Sequence, residues 1–142
     1  MIHSLLIKVI KENILSYPHL YKYEKKVKEF VLYYQPKLRS SDHKICSLEA
    51  LIRWKHPTLG MVSPYKFIKL AEETGLIREI GDWVLKQAFK QLSLWEQKYD
   101  SQISVSVNLS PIELYEDDKI EKIKKLQQRY QINRKLFYHL FL

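Results

Sequence analysis

The pattern of apolar and polar residues divides most of the chain into alternating predicted strands and helices. Short runs of β-branched and aromatic residues predict strands, and apolar residues at three- and four-residue steps predict helices. The longest helical repeat joins Ile77, Val84, Leu92 and Trp95. The pattern predicts strands at residues 30–38, 45–54, 103–109 and 136–142, and helices at residues 64–73, 77–99 and 117–130.

Two serine–proline pairs predict where helices begin. Ser63 is expected to cap backbone N–H groups, and Pro64 suits the first helical position because its missing N–H would have no partner there. Ser110 precedes Pro111 and stands three residues before Glu113, which is the spacing of a capping box. The last predicted helix carries on one face Ile120, Ile123, Gln127 and Tyr130.

The order of the predicted elements indicates the topology of the sheet. Strands that alternate with helices favour a mostly parallel sheet or barrel. The first two strands, however, are joined by only a few residues, whereas a parallel crossover needs about a dozen or more. These two strands are therefore predicted to be antiparallel neighbours. An α/β barrel with a reversed first strand satisfies both observations.

Parity along the strands separates an apolar row from a polar row. Successive side chains of a strand point to opposite faces of the sheet. Ala50 and Val107 belong to rows that we expect to pack under the helices, whereas Glu49, Arg53 and Asn108 belong to rows that face the barrel interior. Polar groups there need partners, and a metal ion with an anionic ligand would supply them. Polar residues at the carboxyl ends of barrel strands often carry the chemistry.

Simpler roles stay open for each of these residues on parity alone. Glu49 could pair with a lysine of a neighbouring strand, and Arg53 could be solvated or paired at a strand end. Asn108, just before a capping serine, could be a turn former, and Gln35, next to Pro36, could be one too.

Composition and charge bound the class of protein. The chain has 142 residues, 46% hydrophobic and 28% charged, which indicates one globular domain. The formal net charge of +8 favours anionic partners, but the basic residues lie in helix-like segments. A solvated surface explains them as well, and a general nucleic-acid binder is the least supported interpretation.

Several kinds of site and location are disfavoured. Cys46 is the single cysteine, and the five histidines lack metal-ligand spacing, so neither a disulfide nor a zinc site is predicted. The first 15 residues are too short and too charged to span a bilayer and lack a secretory cleavage site. A cytoplasmic protein is expected.

An ordered series of short motifs resembles a known family. The central motif is Glu49-Ala50-Leu51, within Ser-Leu-Glu-Ala-Leu-Ile-Arg-Trp. The motifs around it are Tyr34-Gln35-Pro36-Lys37, His56-Pro57, Gly60, Ser63-Pro64, Phe67-Ile68, Ala71-Glu72, Gly75-Leu76-Ile77 and Val107-Asn108-Leu109-Ser110. The series resembles the EAL domain, the bacterial phosphodiesterase module that hydrolyses cyclic di-GMP.

The resemblance implies a fold, a reaction and a metal site. The family has a TIM-like barrel with a reversed first strand. By this resemblance, Glu49 and Asn108 match metal ligands of the family, and both offer the hard oxygen donors that Mg²⁺ or Mn²⁺ requires. In the family, two divalent ions activate the water that opens cyclic di-GMP to linear pGpG.

The resemblance also implies a substrate site. Arg53 matches the arginine that holds a phosphate of the substrate. Gln35 and Leu51 match residues that line the nucleotide site, and Pro64 lies in a segment near it.

The match covers only the first half of the family's domain. The later metal ligands and the lysine that assists the water have no counterpart in the sequence, and residues 136–142 hold no carboxylate. We therefore expect residues 1–28 to be a lead-in segment and residues 29–142 to be a truncated EAL domain, the first half of a TIM-like barrel. It is expected to be inactive by itself.

Expectations for ligands and partners follow from the truncation. Mg²⁺ or Mn²⁺ is not expected to be held stably, and binding of cyclic di-GMP is expected to be weak or absent. Exposed strand edges are expected to promote self-association. The alternative function is a non-catalytic regulator that acts through cyclic di-GMP or a protein partner.

Overall fold

A computed structural model of the chain describes residues 29–99 and 103–132, and the backbone of residues 137–140. The strands are β1 (Phe30–Leu38), β2 (Ile45–His56), β3 (Gly60–Val62), β4 (Ser104–Leu109) and β5 (Phe137–Leu140). The helices are α1 (Pro64–Thr74), α2 (Ile77–Tyr99), α3 (Pro111–Leu114) and α4 (Lys119–Arg129). The predicted lead-in at residues 1–28 lies outside the described residues.

The strands form one mixed sheet with the order β1-β2-β4-β5, and β3 pairs with β2 off this path. β1 runs antiparallel to β2, whereas β2 with β4 and β4 with β5 are parallel. The prediction that the first two strands are antiparallel neighbours is confirmed. The short turn between them allows this pairing, while α1 and α2 supply the long crossover that a parallel pair needs.

Two local features differ from the sequence prediction. β2 extends two residues beyond the predicted strand, to His56, and turns back into β3. Gly60 adopts a positive φ of 67°, which suits glycine in a tight turn. Within the described residues, the Ser63 side chain makes no capping hydrogen bond. The Ser63 backbone carbonyl instead accepts a hydrogen bond from the Lys66 N–H at 3.0 Å.

The hydrophobic core lies between the apolar face of the sheet and helices α1 and α2. The strand residues Ala50, Val105 and Val107 are buried there, as parity predicts. Aromatic rings fill the end of the core: the ring centroids of Phe30 and Trp54 lie 5.5 Å apart. The repeat predicted for the long helix is confirmed by the buried residues of α2, which include Ile77, Ile80, Val84, Leu85, Ala88, Phe89 and Leu92.

In the last helix, α4, not every residue of the predicted face is buried. Ile120 is 70% exposed, whereas its neighbour Lys119 is only 2% exposed. Lys119 Nζ lies 2.9 Å from Asp82 Oδ1 and 3.2 Å from Glu113 Oε1. Ile120 and Ile123 are three residues apart on the helix, as predicted, but only Ile123 packs against the core, while the ion pairs draw Lys119 inward in place of Ile120.

A buried carboxylate fixes the chain just after β4. Glu113 Oε2 accepts a hydrogen bond from the Ser110 N–H at 2.9 Å, and Ser110 Oγ accepts one from the Ile112 N–H at 3.3 Å, so the predicted capping box is confirmed. Burial raises the pKa of Glu113, and the Ser110 N–H and the Lys119 charge offset this only in part.

Lys119 responds to the same environment in the opposite sense. Burial opposes its charge, but the hydrogen bond to Asp82 and the charges of Glu113 and Asp82 outweigh burial and raise the pKa of Lys119. The Lys119 ammonium is therefore charged at neutral pH. It balances the charge of the buried Glu113 carboxylate in the capping box.

Gly81 makes room for this carboxylate, and replacing it tests the arrangement. A methyl group at position 81 would overlap Glu113 Oε1, so Gly81→Ala should lower the free energy of unfolding by about 2 kcal/mol in urea denaturation, despite its better helix propensity. In a Glu113→Ala background the overlap is gone, and the same substitution should be neutral or stabilising. An equal loss in both backgrounds would contradict this packing.

Candidate active site

The face of the sheet opposite the helices carries the predicted site residues. We call this the polar face and define it by Gln35 and Lys37 on β1, Glu49, Leu51 and Arg53 on β2, and Ser106 and Asn108 on β4. Gln35 is opposite Glu49 in the β1–β2 register, and Glu49 is opposite Ser106 in the β2–β4 register. The buried Ala50 and Val107 on the other face hold these strands in that register.

Glu49 and Asn108 meet on the polar face. The Asn108 side-chain N–H donates a hydrogen bond of 2.8 Å to Glu49 Oε1. Both side chains are half-buried, so their contact is partly shielded from water. The structure therefore brings together the two residues that the resemblance matches to metal ligands, from neighbouring parallel strands.

A lysine of the neighbouring strand also contacts this carboxylate. Lys37 Nζ lies 3.1 Å from Glu49 Oε2 and donates a hydrogen bond of 3.3 Å to Ser106 Oγ. The pairing of Glu49 with a lysine, left open by the sequence, is present. Lys37 was not among the predicted site residues, although its parity with Gln35, two residues earlier on β1, places it on the same face of the sheet.

Arg53 and Leu51 lie further along β2. Arg53 Nη1 donates a hydrogen bond of 2.9 Å to the carbonyl of Ile52, and its guanidinium carbon is 5.8 Å from the centre of the Tyr33 ring. Leu51 is half-buried and opposite Tyr33 in the strand register. A guanidinium set beside an aromatic ring is suited to binding a planar or anionic ligand.

The two remaining substrate candidates have different places in the fold. Gln35 is exposed on the polar face opposite Glu49. Pro64 is the half-buried first residue of α1, which begins directly after β3. The polar face therefore collects Gln35, Leu51 and Arg53, whereas Pro64 lies outside the sheet.

The donors of the polar face do not make a complete divalent-metal site by themselves. Mg²⁺ prefers about six oxygen ligands in octahedral geometry, and the predicted ligands on this face are the Glu49 carboxylate and the Asn108 amide. In the ranges 29–99 and 103–132, no three His, Cys, Asp or Glu side chains converge in a way that could hold a metal ion. Within the described residues, the two predicted ligands therefore have the donor chemistry that Mg²⁺ requires and account for part of an octahedral shell.

The described histidine of the β2–β3 turn has a structural role. His56 is buried, and its Nδ1 accepts hydrogen bonds from the Thr58 and Leu59 N–H groups at 3.2 and 3.1 Å.

The cysteine singled out by the sequence, Cys46, is exposed. Across the part of the chain that the structure describes, no helix is both long enough and apolar enough to cross a bilayer.

Comparison with known proteins identifies the family. The model of the EAL domain matches residues 22–137, and the chain therefore belongs to the EAL domain family. It is 35% identical over 105 residues to the bifunctional diguanylate cyclase/cyclic di-GMP phosphodiesterase MucR of Pseudomonas aeruginosa. It is 38% identical over 104 residues to a cyclic di-GMP phosphodiesterase of the same species.

A solved structure shows the same fold. The PaMucR phosphodiesterase in complex with cyclic di-GMP superposes with a TM-score of 0.77 at 29% identity, covering 96% of this chain and 50% of that chain. The alignments cover 74% and 73% of this chain but only 15% and 18% of the two Pseudomonas relatives. The chain thus spans half of the solved phosphodiesterase and a small part of the full-length relatives.

The contact between Glu49 and Asn108 predicts a like-charge effect. Asn108→Asp would replace the amide donor next to Glu49 Oε1 with a second carboxylate. We expect it to lower the free energy of unfolding by about 1–2 kcal/mol at pH 7 because the two charges repel. Chemical denaturation measures the loss. Adding Glu49→Gln should recover most of it, because the new amide can donate to the introduced carboxylate, and a loss unaffected by Glu49→Gln would contradict the contact.

Proposed function

We propose that this chain forms the first half of an EAL barrel and carries one half of a cyclic di-GMP phosphodiesterase site. The observation that carries the proposal is the 2.8 Å hydrogen bond between Asn108 and Glu49. It joins, from two parallel neighbouring strands, a carboxylate and an amide at the positions that the family resemblance matches to metal ligands. The EAL portion is proposed to be residues 29–142, after a lead-in at residues 1–28.

The proposed metal site needs more oxygen donors than Glu49 and Asn108 supply. Glu49 and Asn108 would each give one oxygen to Mg²⁺ or Mn²⁺, and such an ion lowers the pKa of a bound water to make a nucleophile. Two donors are too few to hold a divalent ion stably. We therefore propose that the chain alone binds the metal only weakly.

Arg53, Gln35, Leu51 and Pro64 would bind the substrate in this proposal. The Arg53 guanidinium has five N–H donors in a planar fork that matches phosphate oxygens, and one of them bonds to the Ile52 carbonyl. Gln35 is exposed on the same face and offers an amide to a nucleobase, while Leu51 offers apolar contact. Pro64 would shape the neighbouring segment.

The alternative is a non-catalytic regulator that acts through cyclic di-GMP or a protein partner. No contact among the described residues favours it over the phosphodiesterase half-site, and measuring the binding of cyclic di-GMP by the chain alone distinguishes the two. Self-association through strand edges stays a prediction that size-exclusion chromatography can test.

We expect the purified chain to leave cyclic di-GMP intact in the presence of Mg²⁺ or Mn²⁺. The proposed metal ligands among the described residues, Glu49 and Asn108, are too few to place and activate a water. Chromatographic separation of cyclic di-GMP from pGpG measures the reaction. Hydrolysis by the chain alone that disappears with Glu49→Ala would contradict the proposal.

The same assay tests whether this half of the site is competent. When a carboxyl-terminal half from an EAL relative is added and association is verified, pGpG should form. Glu49→Ala or Asn108→Ala should lower the rate at least about 100-fold, because each removes a proposed metal ligand. Glu73→Ala is the matched control, since Glu73 is an exposed carboxylate on α1, and it should leave the rate unchanged. Associated halves that stay inactive would contradict the proposal.

Binding of cyclic di-GMP by the chain alone should be too weak for calorimetry at micromolar concentrations. Each charge-assisted contact supplied by the second half of the family's domain is worth about 1.5–3 kcal/mol, and binding without several of them is weaker by orders of magnitude. Arg53→Ala is the comparison variant. Tight binding that Arg53→Ala abolishes would contradict this expectation and favour the regulator.

A further inference from the structure

The Glu49 carboxylate has an internal partner on each of its oxygens. Oε1 accepts the Asn108 N–H at 2.8 Å, and Oε2 lies 3.1 Å from Lys37 Nζ. An ionised carboxylate accepts hydrogen bonds and donates none, so both partners present donors to it. The amide of Asn108 therefore turns its nitrogen, and not its oxygen, toward Glu49. In this arrangement both Glu49 oxygens have hydrogen-bond or ion-pair partners within the protein. A metal ion on Glu49 would instead require the Asn108 oxygen to face it.

Lys37 is held in place from two strands. Its ammonium contacts Glu49 on β2 and donates to Ser106 Oγ on β4 at 3.3 Å. Ser106 Oγ is itself 3.4 Å from the Leu48 carbonyl, to which it donates. The side chains of Lys37 and Glu49 are 34% and 23% exposed, so water screens the pair only in part. The lysine reaches across β2 to a fixed position, which is unlike a solvated surface lysine.

The ammonium and a divalent ion would compete for the same carboxylate. A divalent ion on Glu49 would lie within about 5 Å of the Lys37 charge, and repulsion at that separation is worth about a tenfold change in affinity even in a water-like dielectric. The ion therefore favours a state in which Lys37 has left Glu49 and the Asn108 amide has turned its oxygen inward.

We propose that Lys37 is the resident counter-ion of Glu49, and that a divalent cation binds this carboxylate only by displacing the Lys37 ammonium. Lys37 is then a positioning residue that keeps the metal-free Glu49 carboxylate paired. It also sets the metal concentration at which the ammonium is displaced from that carboxylate. The proposal rests on the proposed function, because it concerns the same carboxylate.

The test is a titration of the whole chain with Mn²⁺, followed by the electron paramagnetic resonance signal of the free ion. Lys37→Met keeps the length of the side chain and removes its charge, and should tighten Mn²⁺ binding about tenfold or more. Lys37→Arg keeps the charge and should bind within about twofold of the unsubstituted chain. Lys55→Met is the matched control, because Lys55 is an exposed lysine on β2, and it should also leave the affinity unchanged.

A second substitution assigns the effect to the carboxylate. In the Lys37→Met background, Glu49→Gln should remove the gain in Mn²⁺ affinity. An unchanged or weaker affinity in Lys37→Met, a gain that survives Glu49→Gln, or no detectable Mn²⁺ binding in any variant would each overturn the proposal. Circular dichroism checks the fold, and Lys37→Gln replaces Lys37→Met should the latter not fold.

The outcome is separable from that of the proposed function. Mn²⁺ binding is read without any nucleotide, whereas the proposed function is read from pGpG formed by the associated halves. Hydrolysis with no Lys37→Met effect would overturn the counter-ion role alone. A Lys37→Met effect without hydrolysis would overturn the phosphodiesterase half-site alone.

Discussion

Burial of one side of β2 under the helices is the constraint on which the rest of the structure depends. Ala50 and Trp54 are fully enclosed by the core, and side chains alternate strictly along a strand. A slip of one residue would bring Glu49 and Arg53 under the helices and turn Trp54 out. The cost of burying those charges without partners enforces a single register. Packing on one face thereby decides which groups appear on the other.

The carboxyl end of β4 is fixed by a second, smaller set of contacts. Asn108 is separated by a single residue from Ser110, whose N–H bonds to Glu113 and whose hydroxyl donates to Glu72 Oε1 at 2.7 Å. Lys119 neutralises Glu113 from the far side. The buried ion pair of Glu113 and Lys119 therefore helps to fix the chain segment that carries the Asn108 amide on the polar face. The position of Asn108 therefore depends on residues outside the polar face.

The sequence predicted those features that depend on local pattern. The antiparallel first pair followed from a short connection, and the buried rows containing Ala50 and Val107 followed from parity. The orientation of Lys119 could not be predicted, because its burial depends on Asp82, which is distant in sequence. For the site, parity placed Glu49, Arg53 and Asn108 on one face. It could not show that a lysine of β1 reaches Glu49, since that contact depends on side-chain reach across the sheet.

The connectivity of β2 has a consequence for the order in which its neighbours are assembled. β1 reaches β2 through a short turn, and hairpins of this kind form in about 1–10 μs. β4 reaches the other edge of β2 only after α1 and α2, and closing so long a loop carries a larger entropic cost. We therefore expect Glu49 to meet Lys37 through local chain closure before Asn108 reaches it from the distant strand. The carboxylate would then have a charge partner from the chain itself while the far side of the sheet is still being built.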